Sequence, residues 1–77
     1  MASRGILRSI GEVLRERRTE RGLTQEDLAH QAGVHRNVVG LIERGQYNPT
    51  VLVLLAITTR LKLTISDLFH EAERRTG

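Results

Sequence analysis

Seventy-seven residues, 27% charged and 39% hydrophobic, make one domain near the lower size limit at which a single core folds unaided. The absence of cysteine excludes disulfides and thiolate metal sites, and neither a run of about 20 apolar residues nor a signal-peptide pattern occurs, so a soluble, cytoplasmic protein is expected. Twelve basic residues against nine acidic give a formal charge of +3, and eleven of the twelve are Arg, whose planar fork grips phosphate and guanine edges bidentately. A high-GC genome would give the same Arg bias, so the charge supports polyanion binding without establishing it.

The pattern predicts an all-α domain of five helices. Ile6, Ile10, Val13 and Leu14 recur at helical spacing, placing a first helix over about Ser9 to Arg21, with some lead-in, stopped by Gly22. Thr24 is a good N-cap for the second, with Asp27 where a capping partner belongs. The third runs from about His35 to Glu43 and stops before Gly45; Thr50, after Pro49, caps the fourth, which reaches about Leu61. Thr64 with Asp67 starts the fifth, whose Leu68 and Phe69 close the core. Leu61-Lys62-Leu63-Thr64-Ile65 alternates, but reads better as a helix end followed by a capped restart. No repeat or linker divides the chain, so 1–77 is one domain with an ordered core over about 6–72; the first four residues and the last five, Glu73 to Gly77, are expected to fray.

Residues 25–44 carry the spacing of a helix-turn-helix. Counting from Gln25, Ala29 falls fifth, where two helices approach closely, and Gly33 ninth, at a bend that needs left-handed backbone. Val34, Val39 and Ile42 fall tenth, fifteenth and eighteenth, the apolar positions that hold the second helix of the unit against the first. Such a unit leaves one helix projecting, ready to enter a major groove.

Ile10-Gly11 through Phe69 resembles the phage-repressor or XRE type of helix-turn-helix regulator. The matching elements are Leu14-Arg15-Glu16-Arg17-Arg18, Gly22 to Ala29, Gly33-Val34, Ile42-Glu43-Arg44-Gly45, Asn48-Pro49-Thr50 and Leu68-Phe69. The short length, and His35-Arg36-Asn37 followed by Ile42 to Gly45, are similar to stand-alone members, including the controller proteins of restriction-modification systems. The resemblance implies a transcriptional regulator, acting as a homodimer on a pseudo-palindromic double-stranded DNA operator, without cofactor. It implies base contacts from Arg36 and Asn37, which suit guanine and adenine edges respectively, or else these are solvated surface side chains. It implies DNA-backbone contacts from Thr24, Gln25, His35, Arg44 and Asn48, with His35 foremost a cap of the third helix. Arg18 and Glu43 are expected to form a partly buried ion pair, a phosphate contact from Arg18 being the alternative. His30, His35 and Glu43 do not make a credible metal site.

Two positions depart from the family habit. Leu41 stands where relatives place a polar or basic reader; it either packs on a thymine methyl or is incidental. Gly40, mid-helix, costs about 1 kcal/mol against Ala, which implies close approach to DNA or to a neighbouring helix. The fourth helix is apolar on all sides over Val51 to Ile57; Leu54, Leu55, Ile57 and Leu61 suffice for the core, so Leu52, Val53 and Ala56 are expected outside, at a dimer interface. Two other readings stay open: the antitoxin of a toxin–antitoxin pair, binding DNA and a protein toxin, and a protein-interaction module on the same fold. No nucleophile–base set, paired carboxylates or phosphate-cradling loop points to an enzyme.

Overall fold

The computed structural model describes residues 2–76. Among them five helices follow one another without a strand: α1 (Ala2–Glu20), α2 (Gln25–Ala32), α3 (Arg36–Glu43), α4 (Val51–Arg60) and α5 (Ile65–Thr76). Threonine sets three of the starts. The Thr24 hydroxyl accepts from the Asp27 N–H at 3.0 Å while the Asp27 carboxylate accepts from the Thr24 N–H at 3.1 Å, a reciprocal capping box that satisfies two orphan donors of α2. Thr50 accepts from the Val53 N–H at 3.1 Å and Thr64 from the Asp67 N–H at 2.9 Å. The bend after α2 falls on Gly33, at φ +71°, and the α4–α5 break falls on Lys62, at φ +55°.

Helix α1 packs against α3 and α5, and α2 against α3 and α4. The core takes Ile10, Val13 and Leu14 from α1, Leu28 and Ala29 from α2, Val39 and Ile42 from α3, Leu54 and Ile57 from α4, and Leu68 and Ala72 from α5. Among the described residues no helix is long and apolar enough to cross a membrane.

Helix α4 departs from the expected division of its apolar residues. Leu55, expected in the core, is 48% exposed, whereas Val53, expected outside, is half-buried against the core. Thr58 takes the inward place instead: it stands one turn beyond Leu54, and its hydroxyl reaches the Leu55 carbonyl at 3.3 Å, so its burial leaves no orphan donor. Val51 and Leu52 are 69% and 76% exposed, and Ala56 is half-buried.

The two ends also depart from expectation. Helix α1 begins at Ala2, well before Ser9, and α5 runs on to Thr76 rather than fraying from Glu73; Met1 and Gly77 lie outside the described residues. Arg75 explains the extension of α5. Its guanidinium donates to both Glu16 oxygens at 2.8 and 2.7 Å and to Glu71 at 3.4 Å, with Glu12 at 3.7 Å, while the Thr76 and Ser9 hydroxyls are hydrogen-bonded at 2.8 Å.

Two carboxylates titrate below their ordinary range: Asp27 because the Thr24 main-chain N–H binds its charged form, Glu16 because the Arg75 guanidinium does. A folded-state value below the unfolded one favours the native state above about pH 4 and loses that contribution as the pH falls through the folded value. Thermal stability is therefore expected to decline on acidification, and less steeply in an Asp27→Asn/Glu16→Gln double variant. Circular dichroism melts from neutral to acid pH test this; an unchanged acid limb in the double variant would assign the loss to other carboxylates.

Candidate nucleic-acid interface

The projecting helix is α3, and three features fix where it stands. Ala29, 1% exposed, lets α2 approach it closely. On the other side Gly11 of α1 lies against its C-terminal turn: a methyl group at Gly11 would run into the Ile42 carbonyl oxygen and stand 2.6 Å from that of Glu43. Beneath the same turn, Arg18 Nε donates to Glu43 Oε2 at 2.6 Å and Nη2 to Oε1 at 3.0 Å, with side-chain exposures of only 10% and 3%. Arg18 Nη1 also donates to the Leu23 carbonyl at 2.7 Å. This is the ion pair expected from the sequence, and it leaves Arg18 no exposed fork for a phosphate.

The N-terminus of α3 is held by His35, whose Nδ1 accepts from the Asn37 N–H at 3.1 Å, so His35 caps the helix as expected. That leaves Nε2 on the outer side as a donor. Arg36 and Asn37 follow, both exposed; Arg36 Nη1 lies 3.4 Å from Glu26 Oε2, an ion pair exposed on both sides and correspondingly weak.

Arg36, Asn37 and Leu41, expected to meet bases, come together with Gln25 and Arg44, expected at the DNA backbone. Gln25, Arg36, Asn37, Gly40, Leu41 and Arg44 line one groove of about 310 Å³ on the outer face of α3. Leu41 is half-buried in its wall rather than projecting freely. Arg44 Nε donates to Gln46 Oε1 at 3.1 Å, and Asn48 is exposed on the segment that leads to α4. Thr24, with its hydroxyl oxygen engaged by Asp27, and Gln25 stand at the start of α2, where the dipole and free N–H groups favour an anion.

Three features escaped the sequence reading. Gly11 gave a signal, a glycine in the apolar stripe between Ile10 and Val13, but not the identity of the helix it meets. The Glu26–Arg36 pairing is a contact across the turn. Gln25 Nε2 donates to Glu43 Oε1 at 2.9 Å, which ties the first residue of the unit to the buried ion pair.

A family model described as helix-turn-helix matches residues 14–68. The chain belongs to the XRE-type helix-turn-helix family of DNA-binding transcription regulators. An uncharacterized HTH-type transcriptional regulator of Archaeoglobus fulgidus is 39% identical over 56 residues, 73% of this chain and 80% of that protein. The restriction-modification controller protein C.AhdI of Aeromonas hydrophila superposes with a TM-score of 0.77 at 42% identity, over 80% of this chain and 94% of its own. A mutant of the controller protein C.Esp1396I, solved on its highest-affinity operator site, superposes with a TM-score of 0.81 at 29% identity, over 94% of this chain and 95% of its own. The matched segment of this helix-turn-helix protein contains the whole groove on α3 and both members of the Arg18–Glu43 pair.

Proposed function

We propose that this chain regulates transcription as a homodimer that places two copies of α3 in successive major grooves of a pseudo-palindromic operator. The observation that carries the DNA-facing half of this reading is the single groove holding Arg36, Asn37, Leu41 and Arg44 on the outer face of α3. Arg36 and Asn37 take base edges, and Leu41 offers an apolar wall for a thymine methyl. Arg44, Asn48, the outer nitrogen of His35 and the free main-chain N–H groups at the start of α2, beside Thr24 and Gln25, take phosphates. C.Esp1396I, solved bound to its operator site, supports duplex DNA as the partner.

Selection of binding sites from random duplex DNA, followed by a salt titration, tests this half. On a log–log plot, affinity for the selected site is expected to fall with a slope of about −0.9 per phosphate contacted. An affinity that ignores salt, or no affinity for any duplex, would sink the reading.

The dimer half rests on Val51, Leu52 and Leu55, which form an apolar patch on a domain of only 77 residues. Leu52, Leu55 and Ala56 line a shallow depression of about 270 Å³ that continues to Ala32 of α2. Val53, half-buried against the core, contributes at most an edge of this surface. Two half-sites also roughly double the discriminating free energy that one short recognition helix supplies. Across a two-fold axis the half-sites would lie about 10 base pairs apart, centre to centre.

Leu52→Glu would set like charges against each other at the axis while leaving Leu54 and Ile57 in the core. The expected product is a folded monomer with weak half-site binding, checked by sedimentation and circular dichroism. A variant that remains dimeric places the interface elsewhere.

A further inference from the structure

Gln25 sits at the rim of the groove, and its amide has a fixed polarity. Glu43 carries a carboxylate paired with the Arg18 guanidinium, and a carboxylate in that state only accepts. The Gln25 group that faces Glu43 must therefore be the NH₂, as the 2.9 Å contact from Nε2 to Oε1 has it. The carbonyl oxygen is turned the other way, toward α3, where a methyl group on Gly40 would lie 3.2 Å from Oε1 and 3.6 Å from Cδ. Gln25 and Gly40 line the same groove as Arg36 and Asn37.

This polarity constrains what the side chain recognises. A carbonyl oxygen repels a phosphate and accepts from an amino group, and in the major groove the amino donors are adenine N6 and cytosine N4. We propose that the Gln25 side chain is a specificity-determining base reader, an acceptor for one exocyclic amino group per half-site, whose orientation is set by Glu43 and which lies close against α3 because Gly40 has no side chain. The proposal rests on the DNA-binding reading and deepens it. The main-chain N–H of Gln25 keeps its place at the helix start beside the phosphates, while the side chain turns to the bases. It also gives Gly40 a role: the missing methyl lets the Gln25 oxygen and Arg44 Nη1 lie close against α3, each 3.2 Å from where a Cβ would stand.

The experiment replaces, one at a time, each adenine of the selected operator by purine and each cytosine by 2-pyrimidinone, deleting a single amino group. Affinities are measured for the wild-type protein, Gln25→Ala and Gly40→Ala. At one position in each half-site the wild type is expected to lose about tenfold on deletion of the amino group, the equivalent of about 1.4 kcal/mol. Gln25→Ala should lose no further affinity there, because its reader is already gone, and Gly40→Ala should show a reduced loss while melting no lower than the wild type. The analogue's effect on base pairing is common to all three proteins and cancels. If Gln25→Ala keeps the full analogue penalty at every position and binds all sequences evenly more weakly, the side chain is a backbone anchor and the assignment is overturned. A wild-type protein without affinity for any duplex overturns the DNA-binding reading itself, a result distinct from that one.

Discussion

Glu43→Ala is expected to lower the stability of the protein by about 3–5 kcal/mol, a large part of the roughly 5–15 kcal/mol that holds a small domain together. The substitution removes the acceptor for two Arg18 hydrogen bonds and leaves a guanidinium buried without a counter-charge. Only the Leu23 carbonyl would still accept from it. Gln25 loses its hydrogen-bond acceptor in the same step, so the groove loses the contact that orients this side chain. Urea denaturation gives the cost directly. The informative companion is Arg18→Met/Glu43→Leu, in which neither charge remains to be left unpaired; it is expected to recover most of the lost stability, since a buried ion pair contributes little over a well-packed apolar pair. A single-variant cost below about 1 kcal/mol, the range of exposed pairs, would contradict the burial of this one.

The second large effect is expected at Gly11. Alanine is the better helix former by about 1 kcal/mol, and on propensity alone Gly11→Ala would stabilise α1. The added methyl, however, meets main-chain atoms of Ile42 and Glu43, which no rotamer change can move aside. Helices α1 and α3 must separate, and with them Val13, Leu14 and Ile42, which are 1–2% exposed. A net loss of about 2–3 kcal/mol is expected, at the upper end of overpacking costs. Gly40→Ala is the control, since its methyl meets only the ends of the Gln25 and Arg44 side chains. The two thermal melts should move in opposite directions or differ by several degrees. Equal melts would mean that the α1–α3 crossing yields more readily than its backbone contacts imply.

What was legible in the sequence was local chemistry. Thr24, Thr50 and Thr64 announce helix starts because a hydroxyl three residues before a free N–H has one preferred partner. Gly33 announces a bend because left-handed backbone has few other tenants. The Arg18–Glu43 pair was legible through family resemblance, and His35 as a cap through its position before the recognition helix. Helix α4 was not legible in the same way. With Val51 to Ile57 apolar throughout, the sequence carries no stripe to choose a face, so it could not tell that Thr58 turns inward and Leu55 outward. The partner of Gly11, the bond from Gln25 to Glu43 and the seating of Arg75 on Glu16 join residues 18 or more positions apart. No local rule reaches that far. In the groove, Arg36, Asn37, Leu41 and Arg44 stand together as the helical repeat requires, whereas the direction of the Gln25 amide follows from a neighbour the linear pattern does not reveal.

The clasp of Arg75 on Glu16 bears on how the chain reaches its native state. It joins positions 59 residues apart, while α2 and α3 meet across a turn of three residues. Bringing distant segments together costs loop-closure entropy that grows with the logarithm of their separation, so the α2–α3 pair can assemble while α5 is still searching for α1. In that order of events the clasp forms on the native side of the folding barrier. Its contribution then appears in the rate at which the molecule opens rather than in the rate at which it closes. The groove-bearing pair of helices would then be made early, and the bond between the first helix and the last would act by slowing the opening of the finished fold.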